Sequence, residues 1–312
     1  ILITGSTGFI GSNLLRYFVK NKIHTNIIIR KNSKLWRIKD IIKSKHISVH
    51  YSDLNNTKKI SSIIDRIKPK SIFHLATYGA YSFQSNEDLI KKNILDCSIN
   101  LLKSCEKYKF KIFINTGSNS EYGFKSKKMS ENDILEPNSF YAVYKAAVSQ
   151  YFRYLSISKK LHIVTVRPFH VYGPYEEPTR LIPNLISNLI NGKMIKLVSP
   201  NISRDMIFID DCIDLYLQIA KNKNDFGSIY NIGTGKSFTI KEIVKITQKF
   251  TNTSNTLKPK WNSMKNRSWD QDKWISDMTL AKDKLNWKYK VNLNLGLKKT
   301  YLWLLKNIHL YN

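Results

Sequence analysis

Short apolar runs alternate along the first half of the chain with longer stretches whose apolar residues recur at helical spacing. Ile1–Ile3, Asn26–Ile29, Ile47–Tyr51, Ser71–Leu75, Lys111–Asn115 and Leu161–Val166 predict strands, and Phe9–Lys20, Leu89–Tyr108 and Phe140–Ser158 predict helices. Parallel strands need long crossovers, and helical crossovers bury both faces of the sheet. The expected fold class is therefore α/β, with a doubly wound parallel sheet. After about Gly173 the regularity weakens, with Pro174, Pro178, Pro183 and Pro200 interrupting shorter elements. The expected division is a sheet domain over residues 1–174, rejoined by a segment of about 205–232, and a smaller C-terminal α/β lobe over 175–312 that binds substrate.

With 312 residues, 42% of them hydrophobic, the chain has enough apolar surface for a real core and is not disordered. No run approaches the roughly 20 apolar residues of a membrane span. The first residues carry no basic-then-apolar leader, so a soluble, cytoplasmic protein is expected. The chain begins at Ile1 with a glycine motif already under way, which reads as a few residues missing from the front. Cys97, Cys105 and Cys212 are odd in number and lack metal-ligand spacing, which predicts buried free thiols and no metal. A net charge of +28 raises the question of nucleic acid, but the lysines are scattered along the whole chain rather than gathered in a patch. Neither a nucleic-acid nor a membrane partner is expected. The positive field would instead steer a diphosphate-bearing substrate inward.

Gly5, Gly8 and Gly11 follow the first predicted strand and open the first predicted helix. That context is the one in which glycines permit a tight turn, a close backbone approach to a pyrophosphate and close packing of helix on strand. It points to dinucleotide binding on a Rossmann-type sheet. The residue closing the second strand selects the cofactor, since an acid bonds the ribose hydroxyls whereas an Arg accommodates a 2′-phosphate. Arg30-Lys31-Asn32-Ser33 stands there without an acid, which puts NADP ahead of NAD. Asp53-Leu54, closing the third strand, either borders the adenine or caps the next helix.

Tyr141 and Lys145 lie four residues apart on one face of a predicted helix that Asn138 or Ser139 would cap. An ammonium so placed stabilises a phenolate and lowers a pKa normally about 10, making the Tyr a general acid or base. Upstream, the strand Lys111–Asn115 runs into Thr116-Gly-Ser118, setting a hydroxyl at the carboxyl edge of the sheet, where open α/β folds hold ligands. Ser118 either bonds a reacting oxygen there or merely forms the turn.

These motifs, with His74-Leu-Ala76, Asn93 and Asn100-Leu-Leu102, the Ser118–Gly123 segment, Arg167-Pro-Phe-His-Val-Tyr-Gly-Pro174, Ser203-Arg-Asp205, Ile209-Asp-Asp211 and Asn231-Ile-Gly-Thr-Gly235, resemble the extended short-chain dehydrogenase/reductases. Within them the chain is most similar to the NAD-dependent epimerase/dehydratase group acting on nucleotide sugars, in order and over nearly its whole length, down to Leu285-Asn-Trp287 and Gly296-Leu297. The resemblance implies Ser118, Tyr141 and Lys145 as the catalytic triad. It implies a cofactor held by Gly5, Thr7, Gly8, Phe9 and Ile10 at the phosphates and by Arg30, Asp53 and Leu54 at the adenosine end. Leu75, Ala76, Asn93, Tyr141, Lys145 and Pro168 would border the rest, with Asn93 buried behind the active-site helix. Ser118, Asn119 and His170 would face the sugar nucleotide, Arg204 and Arg267 would grip its diphosphate, and two chains would pair through the helices Leu89–Tyr108 and Phe140–Ser158.

Two departures bear on the reaction. The group's 4,6-dehydratases carry acids where this chain has Asn119 and Ser120, and Glu121 is one position off, so dehydration is disfavoured. His170 stands where many members have Asn. The expected activity is C4 epimerisation or reduction of a 4-keto sugar nucleotide, and a non-catalytic NADP-binding or nucleic-acid-binding role is the alternative from another class.

Overall fold

The first strand is three residues long, Leu2–Thr4 (β1), and wholly buried. In the computed structural model, which describes residues 1–81, 83–125, 127–222, 225–254, 256–264 and 273–311, it lies near the middle of a seven-stranded sheet. The helix Phe9–Lys20 (α1) leads to β2 (Thr25–Ile29) and β3 (Ile47–Tyr51), then α2 (Thr57–Ile67) and β4 (Ser71–His74). Next come α3 (Glu87–Lys91), a wide π-helical turn over Lys92–Asp96, α4 (Cys97–Glu106), β5 (Ile112–Thr116), α5 (Phe140–Ser158) and β6 (Ile163–Pro168). The strand order is β10-β6-β5-β4-β1-β2-β3, with β10 (Ile229–Ile232) arriving late in the chain. From β6 to β3 every pairing is parallel.

This is the doubly wound order, reversing direction between β1 and β4, and the crevice outside the carboxyl ends of those two strands is where such sheets hold a ligand. One face packs Ile60, Ile63 and Ile64 of α2, Leu101 and Leu102 of α4 and Val148, Phe152 and Leu155 of α5 against Leu2, Ile28, Ile72, Phe113 and Ile163. On α1, Leu14, Leu15 and Phe18 are buried, and Phe18 packs on Phe73 of β4. All the predicted strands and long helices form, with ends shifted by one or two residues, because their periodicity is reinforced by burial on both sides. The exception is the stretch predicted as one helix over 89–108, which the π-turn divides.

The chain forms two compact units. The first comprises Ile1–Gly123, Asn132–Pro168 and Leu215–Tyr230; the second comprises Phe124–Glu131, Phe169–Asp214 and Asn231–Asn312. The second unit contains β7 (His170–Tyr172) beside β9 (Met206–Phe208), and a three-stranded sheet in the order β11 (Phe238–Thr239), β8 (Ser203–Arg204), β12 (Lys273–Trp274). Its helices are α6 (Leu181–Ile190), α8 (Ile240–Phe250), α9 (Thr279–Leu285) and α10 (Leu293–Asn307), while α7 (Ile209–Lys221) continues into the first unit. Among the described residues no helix is long and apolar enough to cross a membrane, and the three cysteines are buried free thiols, as expected.

Candidate active site

The loop after β1 is fixed by backbone geometry. Gly5 has φ +75°, and a Cβ there would lie 2.5 Å from the Ala76 nitrogen and the Leu75 carbonyl carbon at the end of β4. Only glycine adopts that conformation without strain and leaves that space. Gly8 is the N-cap of α1 and has no side chain to cap the first-turn amides. The Ser6 hydroxyl, buried in the same loop, has no hydrogen-bond partner among the described residues. Thr7, Phe9 and Ile10 are half-buried around it. An uncapped helix N-terminus preceded by a glycine turn suits a pyrophosphate. Arg37, which the sequence reading did not single out, is buried beside this loop, its Nη1 donating to the Thr7 carbonyl at 3.4 Å.

At the ends of β2 and β3 lies a cavity of about 330 Å³ lined by Arg30, Lys31, Asn32, Tyr51, Ser52, Asp53, Asn56 and Lys59. Three cations thus meet where the second strand closes. Asp53 does not cap α2: its Oδ1 accepts from the Asn55 amide at 2.8 Å, and Asn56 is the cap, accepting from Lys59 N at 3.0 Å. Lys59 was missed because its place on this wall depends on the turn after Asp53. Leu54 packs against the adjoining core. The glycine loop, the uncapped α1 and this cavity together fit a dinucleotide.

Along the sheet edge, β5 ends in Thr116 and the chain turns through Gly117 to Ser118, the N-cap of a 3₁₀ turn over Asn119–Tyr122. The Ser118 hydroxyl accepts from Ser120 N at 3.1 Å, and Ser118 N donates to Glu121 Oε1 at 2.8 Å. Ser139 caps α5, its hydroxyl accepting from Ala142 N. Lys145 is buried one turn into that helix, and its Nζ donates to the Thr116 carbonyl at 2.7 Å while lying 5.9 Å from the centre of the Tyr141 ring. Ser118, Tyr141 and Lys145 are thus brought to one edge of the first unit.

Burial lowers the Lys145 pKa to about 8, opposed by the charge of Glu121 and by Cys97. Burial also pushes the Cys97 thiol up to about 12. His74, bonded to the Thr4 and Ser98 hydroxyls at 2.6 and 2.8 Å, is pushed down to about 3 by burial and by the Lys145 charge, and is a neutral tether between β1, β4 and α4. An unfolded Lys keeps its proton to about pH 10.4, whereas folded Lys145 releases it near 8. Between those values the unfolded state binds more protons, so this group makes stability rise with pH; below about 8 the cost of the buried ammonium is fully present. Denaturant unfolding from about pH 7 to about pH 10 should show wild type gaining stability relative to Lys145→Met. A pH-independent difference would show that the ammonium is not desolvated.

Asn93 departs from expectation. It is half-buried in the π-turn, and its side-chain amide donates to Leu89 O, one helical turn back, at 2.8 Å. The turn that holds it packs against α5, but Asn93 is only half-buried rather than buried. Pro168 ends β6 and is buried. Asn119 is half-buried in the 3₁₀ turn.

The second unit holds His170 and Arg204. Arg204 is buried on β8, with Nη1 donating to Ser203 O at 3.0 Å. Beside it Asp205 is wholly buried and accepts from Thr234 N and Oγ1, Gly235 N and Ser276 N, an anchor the sequence did not announce. His170 is kept neutral, held well below its ordinary pKa by burial and then by the charges of Arg204 and Arg180. Arg180, the N-cap of α6, is therefore a cation of this cluster that the sequence reading missed; it stands among prolines, where no periodicity marks a site. Arg267 lies outside the described residues.

A doubly wound sheet with a glycine loop at its switch point defines a dinucleotide-binding class of fold. Residues 1–233 match the sequence model of the NAD dependent epimerase/dehydratase family, and the chain is an enzyme belonging to that family. A dTDP-D-glucose 4,6-dehydratase of Dictyostelium discoideum is 27% identical over 78% of this chain, which spans only 60% of that relative's length. The uncharacterized UDP-glucose epimerase YtcB of Bacillus subtilis is 28% identical over 82% of this chain and 84% of its own. A UDP-glucuronic acid 4-epimerase from Bacillus cereus, solved with UDP-glucuronic acid and NAD, superposes with a TM-score of 0.87 at 25% identity, covering 98% of this chain and 99% of that one. A UDP-glucose 4-epimerase from Thermotoga maritima, at 24% identity, shares the fold with a TM-score of 0.88 over 98% of this chain and 99% of its own.

Proposed function

We propose that the protein catalyses hydride transfer at a hydroxyl-bearing carbon of a nucleotide-diphosphate sugar, foremost as an NADPH-dependent reductase of a 4-keto sugar nucleotide. The observation that carries the chemistry is the buried Lys145 ammonium, fixed to Thr116 O beside Tyr141 and Ser118. In the reductive direction Tyr141 gives its phenolic proton to the sugar oxygen while Ser118 donates a hydrogen bond to that oxygen; in oxidation Tyr141 takes the proton back. Lys145 stabilises the phenolate in between. A bound nicotinamide supplies the hydride donor or acceptor at the sugar carbon. Thr7, Phe9 and Ile10 would border the dinucleotide's phosphates, Leu75, Ala76 and Pro168 the rest of the cofactor, and Arg37 would add a charge beside the phosphates.

The choice of cofactor rests on the cavity closed by Arg30, Lys31 and Lys59, since three cations suit a 2′-phosphate better than a bare ribose diol. Binding titrations should place NADPH ahead of NADH, and Arg30→Ala should narrow the gap by about tenfold, the scale of one charge-assisted hydrogen bond. Equal affinities in the wild type would make Arg30 an ordinary solvated charge. The second reading, a C4 epimerase, is supported by the relatives named as epimerases. Incubation with a panel of UDP-, dTDP-, CDP- and GDP-hexoses and their 4-keto forms separates the two: a reductase consumes NADPH stoichiometrically, whereas an epimerase yields the epimer with no net change in cofactor. Absence of turnover on the whole panel would overturn both.

Dehydration has little support in the first unit. The nearest carboxylate, Glu121, is committed to Ser118 N and Arg167, and Asn119 and Ser120 carry no acid. In the second unit Arg204, Arg180 and neutral His170 make a cationic cluster suited to a substrate diphosphate. A homodimer through α3 and α5 accords with their exposed apolar side chains Leu89, Phe140, Val143, Tyr154 and Ile157.

A further inference from the structure

Glu121 and Arg167 are both completely buried in the first unit, and their Oε2 and Nε atoms are 2.8 Å apart. Burying an ion pair costs desolvation that a pair of apolar side chains would avoid, so its retention calls for something an apolar pair could not do. The other carboxylate oxygen shows what that is. Glu121 Oε1 reaches back over Gly117 to accept the Ser118 backbone N–H at 2.8 Å. Gly117 has no side chain in the way; a Cβ there would collide with Glu121 Oε1. Arg167 is in turn committed: Nε bonds Glu121, its guanidinium lies 4.6 Å from the centre of the Tyr122 ring, and Nη1 and Nη2 have no hydrogen-bond partner among the described residues.

The geometry leaves Ser118 little freedom. Its N–H is taken by Glu121, and its hydroxyl oxygen already accepts from Ser120 N. The hydroxyl proton remains to be donated. On the same loop Thr116 O receives Lys145 Nζ, and the Glu121 charge favours the Lys145 ammonium.

We infer that Glu121 is a positioning residue that fixes the Ser118 hydroxyl for the reacting sugar oxygen, with Arg167 holding the carboxylate in place. The inference rests on Ser118 acting in the proposed reaction, and the experiment separates the two. In Glu121→Met/Arg167→Met both charges go together, so the melting temperature falls only by the few degrees that the unpaired Ser118 N–H costs. Hydrogen exchange at the Ser118 amide quickens, and kcat falls by about 10²-fold, the cost of misplacing a catalytic group by about 1 Å, with KM little changed. In a Ser118→Ala background the same double replacement costs no further kcat, because Glu121 acts through Ser118. Activity is read on whichever hexose nucleotide of the panel the wild type turns over fastest.

An unchanged kcat in the double variant, or the same fold-loss in the Ser118→Ala background, overturns the inference. Wild-type kcat in Ser118→Ala alone overturns the catalytic reading of Ser118 and with it the catalytic meaning of the anchor. Should the double variant not fold, serine-selective ¹⁵N labelling of the wild type still decides: the Ser118 amide must exchange far more slowly than the amides of exposed serines, and equal rates would overturn the inference.

Discussion

Replacing Tyr141 with Phe is expected to lower turnover by about 10²–10⁴-fold while leaving cofactor binding nearly intact. Only one oxygen is removed, and its neighbours stay. Lys145 keeps its bond to Thr116 O, and the Ser139 cap of α5 is unaffected. The ring retains its place against the core packed by α5. What disappears is the group proposed to exchange a proton with the sugar oxygen. Titration with NADPH and turnover on the panel substrate together check this. Wild-type turnover in Tyr141→Phe would sink the assignment, and loss of cofactor binding would show that the hydroxyl serves the dinucleotide rather than the proton. The pH profile gives a second reading: Lys145 loses its charge near pH 8 in the unliganded protein, so a phenolate-dependent rate should be sensitive to pH around that value.

The first unit was largely legible because its signals are local and mutually consistent. Each strand is a short apolar run, each long helix repeats its apolar positions, and the glycine loop falls between β1 and α1, where the backbone demands it. The second unit was not, since β8, β11 and β12 are two residues each. Runs so short carry no periodicity, and an anchor such as Asp205, bonded to Thr234 and Ser276, spans 71 positions of sequence. The partial exposure of Asn93 was not legible for another reason: a π-turn places its amide against Leu89 O, and nothing in the pattern Lys92–Asp96 marks a widened turn. Glu121 was noticed only as an acid one position out of place, because its meaning depends on Arg167, an ionic residue inside an otherwise buried strand. That one signal, a charge within a run of six buried residues, was present in the sequence and pointed to a partner.

The same pair carries the other large expected effect, on stability. Arg167→Met alone would strand the Glu121 carboxylate with one oxygen unpaired in the middle of the sheet edge, and Glu121→Met alone would strand a buried guanidinium whose Nη atoms have no hydrogen-bond partner among the described residues. Removing one member of a buried pair typically costs about 3–5 kcal/mol, because the remaining charge keeps its desolvation penalty and loses its compensation. At roughly 2–4 °C per kcal/mol for a domain of this size, either single variant should melt about 10 °C below wild type. Replacing both by Met should recover part of that loss, since the apolar pair has no charge to desolvate, while the Ser118 N–H left without its acceptor keeps about 1–3 kcal/mol of it. Gly117 places a limit on the recovery, because the room it leaves was shaped for a carboxylate oxygen. Thermal and denaturant melts of the two single variants and the double variant test the coupling directly. Single variants costing under about 1 kcal/mol, the scale of an exposed ion pair, would show that water reaches the pair and that Ser118 is held by something else.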